Sequence, residues 1–199
     1  LALISGLDID RLVDVLEEME FDDLTDLLAE MPAQKRTEVL EAMDEDDAEV
    51  VRQLLSYQPG TAGALMTPEI IVMGPTATVA EALAQVRDPD WLVSIAAQVF
   101  ITQPPFKAPT GAYQGVVHLQ RLLREPPSTE LGRCLSKEPT VNVNVSDRDV
   151  AEFLASYNLL AVGVCDDAGR LLGAITVDDV LDRMLPADWR QRRRQAATS

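Results

Sequence analysis

A strand-to-helix unit occurs twice in this chain, and the repeat restricts the chain to folds that contain two similar halves. The clearer copy reads LGAITVDDVL over residues 172–181, and QGVVHLQRLL over residues 114–123 overlays it at an offset of 58 residues. Self-similarity at a fixed spacing is typical of a duplicated structural unit. We therefore predict two tandem copies of one fold unit.

Two shorter matches extend the repeat upstream of these helices. Residues 66–68 match residues 135–137, and residues 79–83 match residues 150–154, at offsets of about 70 residues. The spacing of apolar residues predicts the same order in each copy: a leading segment, a strand, a helix, one or two strands and a second helix. This part of the chain is expected to be an α/β domain.

The clearer copy also predicts a binding junction. Gly169 ends a turn by supplying a positive φ, the apolar residues 171–177 follow as a strand, and Asp178 stands at the expected N-cap of a helix. Ligands often bind where a strand leads into a helix, because backbone N–H groups and polar side chains converge there. The candidate binding residues at this junction are Thr176, Asp178, Asp179 and Asp182.

The first quarter of the chain has a shorter period. LEEM, LAEM and LEAM, at residues 16–19, 28–31 and 40–43, recur every 12 residues, and a polar stretch follows each. Asp44 is expected as an N-cap and Pro32 as a first helical residue, positions that these residue types favour. The pattern predicts a superhelical stack of short helices with a core of Leu and Met side chains.

The charge is strongly negative and uneven. The net charge is −16, and residues 1–56 hold seventeen acidic against four basic residues. A nucleic acid is excluded as a partner, because this surface would repel its phosphates. Cations are the natural counter-charge.

Acidic residues of the predicted second helix share one side. Asp22, Asp23 and Asp26 fit a solvated face that complements the helix dipole, but they also fit a cation site, because like charges three or four residues apart repel. Both interpretations stay open from the residues alone.

Several other functions are excluded or disfavoured. The lone His118 and the absence of a nucleophile–base set in the sequence argue against an enzyme. Cys134 and Cys165 lack the spacing of a metal site and are expected to be buried thiols. No apolar run has the length of a membrane-spanning helix.

The order of these segments resembles the cytosolic region of the MgtE magnesium transporter family. An acidic helical array leads through YQPGTAG at residues 57–63 into LMTPE at residues 65–69, and the chain then carries two motifs that look like CBS motifs, the second with TVDDVLD at residues 176–182. The resemblance implies an α+β protein whose helical domain and CBS pair bind several Mg²⁺ ions between acidic faces. The implied ligands are Asp22, Asp23, Asp26, Asp178, Asp179 and Asp182.

The resemblance also implies a domain plan. We expect a helical domain at residues 1–56, a hinge at 57–65, CBS motifs at 66–125 and 133–185, and a basic tail at 186–199. Apolar helix faces in the CBS motifs predict a homodimer. The protein is expected in the cytoplasm, at the membrane face if a channel domain belongs to a longer chain; a relative without a channel is the alternative.

A second hypothesis is an adenine-nucleotide-binding CBS module. Thr176 and Asp179 form the [ST]xxD pattern that CBS pairs use for ribose and phosphate, whereas His118 and Arg121 replace it in the first copy. We expect nucleotide binding to be weak or absent, since the surrounding surface is anionic. The first copy also carries a longer segment at residues 91–113.

Overall fold

The N-terminal part of the protein is a stack of four short helices, as the period of 12 predicts. The computed structural model describes residues 9–89 and 91–185, so the predicted basic tail lies outside the described residues. The helices are α1 (Ile9–Leu16), α2 (Phe21–Ala29), α3 (Ala33–Ala42) and α4 (Glu45–Leu55). Helix α1 packs on α3, and α4 packs on both α2 and α3.

The repeated Leu and Met side chains form the core of this array. Leu16, Leu28 and Met31 are buried together with Val39 and Val51. Burial of these apolar groups stabilises helices that are too short to persist alone.

The ends of these helices agree only partly with the sequence-based expectations. Asp44 is the N-cap of α4, where its side chain accepts a hydrogen bond from the backbone N–H of Asp46. Pro32 is the N-cap residue of α3 rather than its first helical residue. The predicted position is wrong by one residue. Both positions suit a proline, because neither needs the backbone N–H group that proline lacks.

The rest of the chain folds into two similar units, as the repeat predicts. A short helix α5 (Ala62–Leu65) precedes the first unit. That unit contains β1 (Val72–Met73), α6 (Val79–Val86), α7 (Val93–Ala96), β2 (Gln98–Thr102), β3 (Tyr113–His118) and α8 (Leu119–Leu122). The second unit contains β4 (Val141–Asn142), α9 (Asp147–Tyr157), β5 (Ala161–Cys165), β6 (Leu171–Thr176) and α10 (Val177–Met184).

Each unit holds a three-stranded sheet with the same topology. The first strand pairs parallel with the second, and the second pairs antiparallel with the third, in the orders β1-β2-β3 and β4-β5-β6. The protein therefore combines a helical array with an α/β pair, and the α+β class expected from the sequence is confirmed.

The two units exchange their leading segments. Thr67, which precedes the first unit, bridges Ala174 in β6, and Ser136, which precedes the second unit, bridges Val116 in β3. Gly173 and Gly115 stand at equivalent positions beside these bridges. A Cβ at Gly173 would collide with the carbonyl oxygen of Thr67, and one at Gly115 with that of Ser136.

The junction between β6 and α10 differs from the prediction by two residues. The N-cap of α10 is Thr176, not Asp178, and the strand ends at Thr176 instead of residue 177. Asp179 is therefore the third helical residue, the position from which an acidic side chain closes a capping box. The turn before β6 is as expected, with Gly169 at a φ of 74°.

The connector after α4 is anchored on the second unit. The backbone N–H groups of Ala62 and Gly63 donate to the carbonyls of Val145 and Val143. The Tyr57 ring lies over Gly63, where a Cβ would come within 2.6 Å of the ring. Gly60 and Thr61 also contact this unit, through the N–H of Asp147 and a bridge to Ser146, so only the residues before Gly60 are left to act as the predicted hinge.

The longer loop of the first unit reaches across to the second. Residues 103–112 join β2 to β3, and Thr110 donates its N–H to the carbonyl of Leu171 and accepts from the Leu171 N–H through its hydroxyl. Thr110 is buried by this contact. The loop therefore ties the two units together beside the start of β6.

Candidate metal centre

An acidic cleft separates the helical array from the second unit. It encloses about 500 Å³ between α2 and α10, and residues of α5 and α7 close its sides. All six acidic residues proposed from the sequence line it: Asp22, Asp23, Asp26, Asp178, Asp179 and Asp182. Folding thus brings together two groups of carboxylates that lie more than 150 residues apart in the chain.

Three carboxylates form the tightest group in this cleft. Glu20, Asp22 and Asp179 each present one ligand oxygen, and these oxygens lie within 4.8 Å of one another. Two ligand oxygens on opposite sides of a Mg²⁺ ion are about 4.2 Å apart, twice the usual Mg–O distance. A small adjustment of the side chains would therefore suit a hydrated divalent cation.

Asp22 supplies a further sign that this group suits a cation. Its Oδ1 atom is buried and has no hydrogen-bond partner. Burying a carboxylate oxygen without a partner is costly, unless a cation or a proton compensates its charge. The donor set, which consists of carboxylate oxygens alone, is the set that Mg²⁺ and Ca²⁺ prefer.

The electrostatics of the group agree with its geometry. Burial, followed by the neighbouring charges of Asp179 and Asp23, raises the pKa of Asp22 to about 7. The pKa values of Asp179 and Glu20 are also raised, in both cases mainly by burial. These three acids destabilise one another when all are charged, so a bound cation would favour their ionised forms.

Asp179 has a structural role as well. Its Oδ2 atom accepts hydrogen bonds from the backbone N–H and the hydroxyl of Thr176, each at 2.8 Å, and the Asp179 N–H points back to the Thr176 hydroxyl. These bonds fix the carboxylate at the start of α10. They also engage the Thr176 hydroxyl, the group that a bound nucleotide would need in the second hypothesis.

Asp26 is held by an arginine. The Nη1 atom of Arg183 donates to Asp26 Oδ2 at 2.9 Å, and its Nε atom lies 3.7 Å from Asp147 Oδ2. Arg183 is in the last turn of α10, so one guanidinium links the helical array to two helices of the second unit. Asp26 therefore lines the cleft as predicted, but it is paired with a cation of the protein itself.

The remaining predicted ligands lie further out. Asp23, Asp178 and Asp182 are exposed on the walls of the cleft and do not belong to the tight group. They contribute negative potential, and they suit a cation that keeps its water shell.

Sequence reasoning missed Glu20 and Arg183. Glu20 precedes α2 at the N-cap position without capping it, which leaves its side chain to face the cleft.

A second acidic cleft adjoins the first. It encloses about 450 Å³ and shares Glu20 with the first cleft, and Glu17, Glu18, Glu69 and Asp88 also line it. Burial raises the pKa of Glu69. Negative potential therefore extends along the boundary between the helical array and the first unit.

The equivalent junction of the first unit has the opposite character. His118 stands where Thr176 stands and pairs with Glu138, and Arg121 stands where Asp179 stands and pairs with Glu125. A cleft of about 580 Å³ at this junction also exposes Arg124 and the apolar side chains of Tyr157 and Leu160. His118 has a partner that the sequence did not reveal, because Glu138 is twenty residues away.

Other predictions concern the thiols and the membrane. Cys134 and Cys165 are buried free thiols, as expected. Across residues 9–89 and 91–185, no helix combines the length and the apolar content that crossing a membrane requires.

Family comparisons agree with the domain content of the chain. The model of the MgtE intracellular N domain matches residues 1–60, and that of the CBS domain matches residues 131–186. Among curated proteins, the magnesium transporter MgtE of Thermus thermophilus is 31% identical over 143 residues, which are 71% of this chain and 31% of that protein. MgtE of Enterococcus faecalis is 30% identical over 139 residues, which are 69% of this chain and 29% of that protein.

Solved structures show the same similarity. The soluble part of a magnesium transporter superposes with a TM-score of 0.82 at 28% identity, covering 91% of this chain and 69% of the other. The cytosolic domain of the Mg²⁺ channel MgtE in complex with ATP gives a TM-score of 0.76 at 28% identity, covering 92% and 78%. This chain spans about a third of the length of the curated relatives. The matched domains belong to transport and regulation rather than to enzymes.

Proposed function

Since this chain belongs to the MgtE magnesium transporter family and corresponds to its cytosolic region, we propose that it is a magnesium sensor in which Mg²⁺ bridges the helical array and the CBS pair. The observation that supports this most directly is the group of Glu20, Asp22 and Asp179, whose oxygens converge across the boundary between the two domains. Two of these acids come from the start of α2 and one from α10, so an ion held by all three links both domains.

The charge of each domain explains why the link depends on a cation. Residues 1–56 carry a large negative excess, and the facing wall of the CBS pair presents Asp178, Asp179 and Asp182. Docking places like charges opposite one another, which opposes the docked arrangement. Apolar contacts act in the other direction, because Phe21, Val50 and Leu54 pack on the core of the second CBS unit.

Mg²⁺ supplies positive charge to this cleft while keeping several of its water ligands, which makes such sites weak. An ion that binds only the docked arrangement shifts the equilibrium by mass action, and several weak sites together give a steep response. The carboxylates of α2 and α10 do the sensing, since their repulsion is what the ion removes.

The rest of the proposal concerns the whole protein. In a longer chain, the docked arrangement would regulate a membrane channel domain, and this region would lie on the cytosolic face of the membrane. We also propose a homodimer through the CBS pair, because Leu181 and Met184 on α10, with Tyr157 on α9, expose apolar surface. A relative that lacks a channel is the alternative.

The sensing proposal is tested by small-angle X-ray scattering during a MgCl₂ titration from 0 to about 20 mM, the range that weak sites require. We expect the radius of gyration to fall, and Asp22→Asn to move the midpoint severalfold higher. Glu41→Gln is the matched control, because Glu41 is an exposed acid of α3 away from the cleft. An equal contraction with NaCl of the same ionic strength would show plain screening and refute the proposal.

Nucleotide binding is the second candidate function, and the basic cleft of the first unit favours it. Arg121 and Arg124 offer guanidinium groups to phosphates, next to the apolar side chains of Tyr157 and Leu160. One of the similar structures is described as a complex with ATP. The acidic cleft, in contrast, repels a triphosphate, and there Thr176 and Asp179 bond to each other.

Calorimetry with ATP distinguishes the two clefts. We expect weak binding that Arg121→Ala reduces and Thr176→Val leaves unchanged. Micromolar affinity that is lost in Thr176→Val would assign the nucleotide to the acidic cleft and would reverse our order of the two functions.

A further inference from the structure

We propose that Arg183 is a positioning residue for the magnesium response, a cation of the protein itself that aligns α2 with α10 and takes the place of one bound ion. The proposal rests on the proposed function and deepens it. It is carried by the ion pairs of Arg183 with Asp26 and Asp147, which span the boundary that the ion would bridge.

The spacing of four residues in two helices carries the argument. Asp22 and Asp26 are four residues apart on α2, and Asp179 and Arg183 are four residues apart on α10, so each pair lies on one side of its helix. Asp22 faces Asp179, and Asp26 faces Arg183. We call the first facing pair the acid rung and the second the ion-pair rung.

The two rungs differ in the charge that they need. The acid rung sets two carboxylates side by side, and Glu20 adds a third, so it needs a cation or a proton from solution to compensate its charge. The ion-pair rung already holds its cation, because the Arg183 guanidinium contacts Asp26 directly. One turn of helix separates the rungs, so the geometry of one constrains the other.

Arg183 is also linked to the connector, through Asp147. Asp147, its second partner, is the first residue of α9, and the Asp147 N–H donates to the carbonyl of Gly60 in the connector. The side chain of Arg183 is about one-third exposed, and those of Asp26 and Asp147 are 54% and 36% exposed. Pairs this accessible stabilise modestly, so we expect Arg183 to bias docking and the ion to complete it.

The consequence concerns how docking depends on magnesium. Without Arg183, the ion-pair rung would become a lone carboxylate beside a wall of acids. The undocked arrangement would be more populated at zero Mg²⁺, and more Mg²⁺ would be needed to close the cleft. We expect Arg183→Gln to have a larger radius of gyration in EDTA than the unaltered protein. For one modest, partly exposed ion pair, we expect a midpoint about twofold higher.

Three variants separate the pairing from a general effect of charge. Arg148→Gln removes the same charge from an exposed pair within α9, Arg148 with Glu152, and should behave like the unaltered protein. Asp26→Asn breaks the proposed pair from the other side while making the protein less negative. Pairing predicts expansion for both Asp26→Asn and Arg183→Gln, whereas a net-charge effect predicts opposite changes. Arg183→Lys should restore compaction only in part, because an ammonium does not reach two carboxylates as a guanidinium does.

The measurements are scattering in EDTA, the Mg²⁺ titration and the thermal midpoint of each variant. An Arg183→Gln protein as compact in EDTA as the unaltered one, with the same Mg²⁺ midpoint, would overturn the proposal, and so would equal expansion of Arg148→Gln. If Arg183→Gln does not fold, Asp26→Asn against Glu41→Gln gives the same comparison. If the unaltered protein shows no Mg²⁺ response, the sensing proposal fails, but the comparison in EDTA still decides the role of Arg183.

Discussion

The two CBS junctions share a backbone and differ in charge. At both, a third strand ends in a residue that begins a helix, and the leading segment of the other unit bridges that strand beside a glycine. At the second junction the helix begins with Thr176 and Asp179, which close a capping box and face the acidic helices. At the first, His118 and Arg121 make no cap, and the cleft beside them is lined by two arginines and one glutamate.

The difference shows which features the duplicated fold requires and which it leaves free. The glycines beside the bridges are required in both units, because the neighbouring backbone occupies the space of a side chain. The first residues of the following helix are free to vary, so one copy became acidic and the other basic. Function in this protein therefore resides in side chains placed on a common frame.

The largest expected effect follows from the shared backbone. We expect Gly173→Ala and Gly115→Ala each to lower the free energy of unfolding by about 2 to 3 kcal/mol, since the new Cβ would meet the carbonyl of Thr67 or of Ser136. Chemical denaturation measures both. A large loss in only one variant would show that the two junctions do not share this constraint.

Gly169→Ala is the control for these glycines. Gly169 has a positive φ, as Gly115 does and Gly173 does not, but nothing lies within 4 Å of a Cβ built there. In Gly169→Ala, backbone strain alone should lower the free energy of unfolding, by about 1 to 2 kcal/mol. A loss as large as that of Gly115→Ala would mean that backbone strain alone explains the effect at Gly115. Gly173 has no positive φ, so its loss would still be due to the carbonyl of Thr67.

The next largest effect concerns the acidic cleft at the second CBS junction. In Asp22→Lys, an ammonium replaces one carboxylate of the acid rung, so that rung acquires the opposite charges of the ion-pair rung. We expect compaction without Mg²⁺ and little further contraction when Mg²⁺ is added, as measured by scattering. Glu41→Lys makes the same change of charge on an exposed part of α3 and should keep the Mg²⁺ response. Expansion of Asp22→Lys in EDTA would contradict the assignment of the acid rung.

A smaller effect concerns the capping box. In Thr176→Val, the hydroxyl that bonds Asp179 is replaced by a methyl group of similar size. We expect a loss of about 1 kcal/mol in the free energy of unfolding, the usual contribution of an N-cap. The Mg²⁺ midpoint should also rise, because the carboxylate of Asp179 would no longer be fixed. A stable protein with an unchanged midpoint would show that Thr176 positions nothing.

Much of this fold could be predicted because it depends on local patterns. The period of 12 fixed the helical array, and the offset of 58 residues paired the two junctions. The errors at Pro32 and Asp178 are shifts of one and two residues. In the second case, Thr176 and Asp178 could each cap a helix, and the sequence alone did not decide between them. Thr176 is the N-cap of α10 because its hydroxyl forms a hydrogen bond with the Asp179 carboxylate.

The candidate site was predicted only in part, because its geometry depends on contacts between distant segments. Sequence spacing placed Asp22 and Asp26 on one face of α2, and the family resemblance suggested that Asp179 would face them. Nothing in the spacing showed that the Glu20 side chain would face the cleft or that Arg183 would form an ion pair with Asp26. Both depend on how α2 docks against α10, which is set by apolar contacts such as those of Phe21 and Leu54.

The smallest expected effect tests whether the first junction can be made like the second. In the double variant His118→Thr and Arg121→Asp, helix α8 acquires the residues of a capping box, which should stabilise it by about 1 kcal/mol at most. The pairs of His118 with Glu138 and of Arg121 with Glu125 are lost, and these partly exposed pairs offset some of the gain. We expect a net change of about 0.5 kcal/mol or less in chemical denaturation, together with weaker ATP binding in calorimetry. A loss of several kcal/mol would show that the basic junction is needed for folding, and the two junctions would then differ in structure as well as in charge.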